Sequence, residues 1–246
     1  MSGHNKWSKI KRQKGAADSK RSKVFSRIVK EITVAVKEGG ANESTNARLK
    51  LAIQNAKGAN MPKDTVQRAI SKASTDGASL QEVTFEGYGV GGVAIFVEGL
   101  TDNNNRIVSN IKMYFSKRGG NLGTNGCLSF IFDRKGVFTI PKGTLNFEEL
   151  ELELIDGGAD DIEITEDEII VTTKLVDFGA MQKKLEALNI EPENAELRRI
   201  PNDYKKVDVD VAKRVMHLID DLEEDDDVQN VYHNMEMTDE IMEALG

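Results

Sequence analysis

Lys6, Lys9, Lys11, Arg12, Lys14, Lys20 and Arg21 surround the single tryptophan, Trp7, in a stretch with no acidic residue before Asp18. Closely spaced cations around an aromatic are the material of phosphate binding: ammonium and guanidinium groups neutralise backbone charge, and an indole offers a face on which an unpaired base can stack. Trp7 equally suits a structural role, anchoring this basic arm on neighbouring helices. The charge continues into helical sequence, where Lys23, Arg27 and Lys30 stand at i, i+4 and i+7 and so share one helix face. Residues 1–75 carry 17 Lys and Arg against 5 Asp and Glu, or +12, and the remainder carries −20, a division that the overall −8 conceals. Charge segregated in this way points to a polyanionic partner, with nucleic acid first among the candidates.

Other chemistries find little material. His4, His217 and His233 are far apart, Cys127 is the only cysteine, and neither H-E-x-x-H nor a paired C-x-x-C occurs, so no metal centre is expected. No nucleophile-elbow motif is present. Gly87-Tyr88-Gly89-Val90-Gly91-Gly92 satisfies G-x-G-x-x-G, but a strand follows it where the dinucleotide fingerprint needs a helix, so a glycine-rich hairpin is expected and no cofactor. The acidic run Asp220, Asp221 and Glu223–Asp227 reads as a solvated helix end. At Thr101–Arg106 a strand-to-helix junction gathers polar groups around backbone N–H donors that suit an anion, which makes Asn103, Asn105 and Arg106 a candidate second nucleic-acid contact. The same residues suit a helix cap, with Thr101 or Asp102 as the capping residue.

These groups must be held by elements that the periodicity reveals. Val24, Phe25, Ile28, Ile32 and Val36 recur at helical spacing until Gly39-Gly40, and further helices are expected at about 44–57 and from Pro62 onward. After Gly77 the period changes to two. Apolar runs at Val93–Val97 and Leu128–Phe132 read as strands around a helix at 103–118. Then come a strand at 137–140, a helix at 147–155, strands at 161–164 and 169–173, a helix at 176–188 and a strand at 196–200, a complete βαββαβ unit. A helix at 209–222 and a strand at 228–232 complete what precedes that unit. The expected class is α+β: a basic arm at 1–21, a three-helix bundle at 22–77, and two ferredoxin-like α+β domains, one discontinuous from 78–134 and 203–246 and the other at 135–202 inserted into it. No apolar stretch is long enough for a membrane span and no secretory signal opens the chain, so a cytoplasmic protein is expected.

The segments GHNKWSKIKRQK at 3–14, NMPKDTVQRAI at 60–70, EGYGVGGVAIFVE at 86–98 and TDNNNR at 101–106 closely resemble the signatures of the YebC/PmpR family. The resemblance runs along the whole chain, departing at Val90, where the family commonly has proline, and at Asn104, where a basic residue is frequent. It implies a cytoplasmic three-domain protein of the probable transcriptional regulators that bind DNA. Relatives in mitochondria and bacteria are described as translation factors acting at the ribosome, where the same cations would meet ribosomal RNA. An enzyme ranks last, since no acid, base, nucleophile or metal constellation assembles from these residues. The expected function is therefore that of a non-enzymatic nucleic-acid-binding regulator, a DNA-binding transcriptional regulator first and a ribosome-associated translation factor second.

Overall fold

The computed structural model describes residues 17–75, 79–143 and 147–245, with side chains from Arg21 onward. Mixed helix and sheet make it an α+β protein, with two four-stranded sheets among the described residues. The chain divides into two compact units, one containing residues 79–133 and 200–246, the other containing the N-terminal helices and residues 134–199.

Helices α1 (Ala17–Gly39), α2 (Ala47–Gly58) and α3 (Lys63–Thr75) form a small bundle around Ile32, Ala35, Val36, Leu49, Ala52, Ala69, Ile70 and Ala73. Val24, an expected member of the α1 stripe, is exposed, and the core begins at Ile28 and Val29. Gly40, at φ +81°, closes α1 by donating its N–H to Val36 O at 2.9 Å. The next turn is organised by buried Asn46. Its Oδ1 accepts from Leu49 N at 3.0 Å to cap α2, while its Nδ2 donates to Ala35 O at 2.6 Å and to Gly40 O at 2.8 Å. One amide thereby satisfies both the end of α1 and the start of α2.

In the same unit, β4 (Phe132–Pro141), α5 (Phe147–Asp156), β5 (Ala159–Ile164), β6 (Glu168–Lys174), α6 (Phe178–Ala187) and β7 (Asn194–Pro201) form a sheet in the order β5-β6-β4-β7. Alternate residues Phe138, Ile140, Ile169 and Val171 face Leu150 and Leu154 of α5 and Met181 and Leu185 of α6. The bundle packs beside this layer through Leu51 and through Asn55, whose side-chain amide exchanges two hydrogen bonds, both 2.9 Å, with the backbone of Ala195. A Cβ on Gly58 would lie 1.8 Å from Glu193 O, so only glycine permits this approach.

The other unit joins β1 (Gln81–Tyr88), β2 (Ala94–Thr101), α4 (Asn104–Lys117), β3 (Asn121–Leu122), α7 (Val209–Glu224), β8 (Val228–His233) and the short α8 (Asp239–Leu245). Its strands lie in the order β3-β1-β2-β8. Strand β2 reads as one apolar run because both its faces are covered. Ile95 and Val97 meet α4 and α7, while Ala94 and Phe96 meet Leu128, Phe132 and Tyr232. The glycine motif is a hairpin between β1 and β2, with Gly91 and Gly92 at φ +73° and +75°. Leu128–Phe132, expected as a strand, is not one before Phe132: residues 125–131 form successive turns, with Gly126 at φ +89°. The cause is Glu86, buried in β1, whose carboxylate accepts from Gly126 N at 2.7 Å and Leu128 N at 2.6 Å. Those two N–H groups turn inward to the carboxylate and are lost to any ladder.

Helices α4 and α7 pack through Ile107, Ile111 and Phe115 against Val215, Leu218, Ile219 and Leu222. A bidentate pair ties them at the rim: Arg118 Nε and Nη2 donate to Asp221 Oδ2 and Oδ1 at 2.7 and 2.9 Å. These bonds hold the Asp221 carboxyl below its ordinary range. A depressed folded-state pKa gives stability that is full above the unfolded value near 3.9 and is lost as pH falls through the folded one. Asp221→Asn is therefore expected to lower stability by about 1 kcal/mol at neutral pH, with the difference from wild type vanishing in acid. Urea unfolding of both proteins across that range measures it; a difference independent of pH would show that charge is not its source. Among the described residues, no helix is long and apolar enough to cross a membrane.

Candidate nucleic-acid interface

Of the expected arm, Lys6, Trp7, Lys9, Lys11, Arg12 and Lys14 lie outside the described residues, and Lys20 lies in α1 with its side chain outside the description. From Arg21 the geometry is explicit. The Arg21 guanidinium sits 5.3 Å over the Phe25 ring and donates from Nη2 to Asn60 O at 3.3 Å, so it ties the first turns of α1 to the α2–α3 corner. Lys23 is exposed, and Arg27 and Lys30 are half-buried on the same helix. Neither Lys23 nor Arg27 enters an ion pair among the described residues.

Several other cations of the bundle are already paired. Arg48 bridges Glu31 at 3.1 Å and Glu38 at 2.9 Å, Lys50 meets Glu186 at 2.6 Å, and Lys57 meets Glu191. A phosphate would have to displace these carboxylates, whereas Lys23 and Arg27 offer their charge directly. Exposed Lys63 and Lys72 on α3 do likewise, and among the described residues Arg68 bonds only to Asp64 O and Thr65 Oγ1 within its own helix. In the sequence the α3 cations are overshadowed by the denser cluster of the arm. Their signal was the i, i+4 pair Arg68 and Lys72 on a helix whose opposite face is apolar.

The junction after β2 is built differently from its sequence expectation. Asn103 is the N-cap, its Oδ1 accepting from Arg106 N at 3.1 Å, one or two residues later than the Thr101 or Asp102 expected. Those two side chains are engaged elsewhere. Thr101 Oγ1 accepts from Asn103 N at 3.0 Å and lies 3.0 Å from Asp227 Oδ2, and Asp102 takes Arg106 Nη2 at 2.7 Å. Arg106 also donates from Nε and Nη2 to buried Asp227 at 2.9 and 2.7 Å. The hydrogen bonds that Arg106 donates to Asp227 and then to Asp102 raise its pKa still further, fixing the charge inside a triad whose sum is negative. The structure thus brings Asn103 and Arg106 together as a helix-start clamp, and leaves Asn105 exposed beside them.

With the bundle and both sheets in place, comparison with known proteins covers nearly every residue. Residues 5–76 match the model of the TACO1/YebC protein N-terminal domain and residues 80–235 that of the TACO1/YebC second and third domain. The chain belongs to the TACO1/YebC family. A family member from Geotalea uraniireducens, named a probable transcriptional regulatory protein, is 47% identical over 247 residues and 100% of both chains. One of the same name from Amoebophilus asiaticus is 49% identical over 96% of this chain and 98% of its own. Among solved structures, a conserved hypothetical protein from Aquifex aeolicus superposes with a TM-score of 0.82 at 40% identity, covering 92% of this chain and 94% of that one. The TACO1/YebC architecture thus extends across both units of this chain.

Proposed function

We propose that this TACO1/YebC chain is a nucleic-acid-binding regulator of gene expression that acts on DNA in transcription. The observation that carries the reading is the run of cations in the sequence from Lys6 to Arg21, continued on α1 by Lys23 and Arg27, neither of which meets a carboxylate among the described residues, in a chain that is otherwise strongly acidic. Each such cation that meets a phosphate releases a condensed counterion, and this is the main source of affinity that does not depend on sequence. The names of the two curated relatives support the transcriptional assignment. Catalysis has no part in it.

The test compares one preparation on promoter DNA, on scrambled duplex and on purified ribosomes, beside the variant carrying Lys9→Ala, Lys11→Ala and Arg12→Ala. Promoter discrimination of about a thousandfold or more, without co-sedimentation with ribosomes, upholds the DNA reading. Saturable ribosome binding that the variant loses, with indifferent DNA binding, replaces it by a translational role on ribosomal RNA.

A further inference from the structure

Where the last turn of α4 meets the middle of α7, their outward side chains wall a cleft of about 380 Å³ lined by Ser116, Lys117, Arg118, Gly119, Arg214 and His217. Two arginines, a lysine and an imidazole meet there, in the half of the chain that is strongly acidic. The carboxylate bonded at its rim is Asp221, which takes Arg118 Nε and Nη2 and lies 3.7 Å from Lys117 Nζ. Asp220 adds a weaker field at Arg118. Asp221 pins the Arg118 guanidinium along one edge and leaves its Nη1 without a hydrogen bond among the described residues.

Arg214 is the more informative group. It makes no hydrogen bond or ion pair among the described residues, although its own helix carries Asp210, Asp220, Glu223 and Glu224. Its Nη2 lies 3.5 Å from the point a Cβ on Gly119 would occupy, so the guanidinium rests over the backbone of the α4 C-terminal turn, where φ is +73°. His217 follows three residues later on the same helix face. Arg118 and Arg214 thus present donors from two different helices, with the Lys117 ammonium and the Ser116 hydroxyl beside them.

We propose that this cleft binds a phosphate group. A carboxylate has two coplanar oxygens and is satisfied by one guanidinium edge, as Asp221 is by Arg118. A phosphate has three or four oxygens in a tetrahedron and takes donors from several directions at once, which is what two arginines on separate helices and a lysine supply. The cleft falls within the range of small-ligand sites and has room for a nucleotide-sized group. Its phosphate belongs either to a nucleic-acid backbone or to a free phosphorylated molecule. The site is distinct from the cations of α1 and stands whether or not those bind DNA.

The test follows the Gly119 amide and the His217 ring by NMR in the isotope-labelled full-length protein. At constant ionic strength it is titrated with sodium phosphate, a mononucleotide, a single-stranded oligonucleotide and a glutamate-rich peptide. Saturable shifts with a phosphate-bearing probe are expected, weakened at least about tenfold in Arg214→Gln, the worth of one charge-assisted hydrogen bond. Lys117→Gln should weaken them likewise. Both side chains are exposed, so each variant keeps its fold, which its unfolding curve verifies. Tighter binding of the oligonucleotide than of the mononucleotide assigns the nucleic-acid source, and equal or weaker binding assigns the free one. The proposal is overturned if no phosphate-bearing probe gives saturable shifts, if Arg214→Gln leaves them unchanged, or if the glutamate peptide matches the phosphate probes.

Discussion

Deleting Ser2–Ala16 is expected to remove about 4.5 from the slope of log K against log [salt] on duplex DNA, because Lys6, Lys9, Lys11, Arg12 and Lys14 go with it and each releases about 0.9 counterion per phosphate met. A fourfold fall in salt would then strengthen the full-length complex about 500-fold more than the truncated one. The deletion stops short of Ala17, where α1 starts, so the Arg21 contacts with Phe25 and Asn60 survive. Fluorescence anisotropy over a salt series measures both quantities. A truncated protein with unchanged slope would mean that the phosphate contacts lie on the folded helices, and Lys23, Arg27, Lys63 and Lys72 would become the residues to reverse.

The division between arm and folded cations also marks what the sequence could show. The α+β class was legible because periods of 3.6 and 2 are properties of neighbouring residues. Helix α7 buries Ala212, Val215, Met216, Ile219 and Leu222 on one side, and β4 and β6 alternate. Which cations remain available was not legible, because pairing is decided by partners far along the chain: Lys50 finds Glu186, Lys57 finds Glu191 and Arg106 finds Asp227. Three expected roles that the structure overturns share one cause. Leu128 is apolar and buried, Thr101 and Asp102 are good capping types, and Val24 has the right spacing, so local pattern favoured each expected role. A distant carboxylate decided the first, engagement with Asp227 and Arg106 the second, and the beginning of the bundle core at Ile28 the third.

Glu86→Ala is expected to cost about 3–5 kcal/mol, the sum of two hydrogen bonds to a charged acceptor. Two backbone donors, Gly126 N and Leu128 N, lose their partner together, and Leu128 N is buried. The segment they hold is a lid of turns that puts Leu128 against Ala94, Phe96, Phe132 and Tyr232, so its release also uncovers the second face of the sheet. That loss is a large share of the stability of an ordinary domain. Glu86→Gln, which keeps one acceptor but turns an N–H₂ group toward the other donor, should be intermediate and remain folded. Urea unfolding orders the three proteins. A second reading comes from Cys127, whose thiol is pushed up by burial and by the neighbouring Glu86 carboxylate. Removing that carboxylate and loosening the turns should lower the thiol pKa and speed its alkylation at a fixed mildly alkaline pH, since the thiolate is the reactive form. Faster alkylation with unchanged stability would assign Glu86 a merely electrostatic effect on Cys127. If both measurements match wild type, the carboxylate does not hold the turns at all.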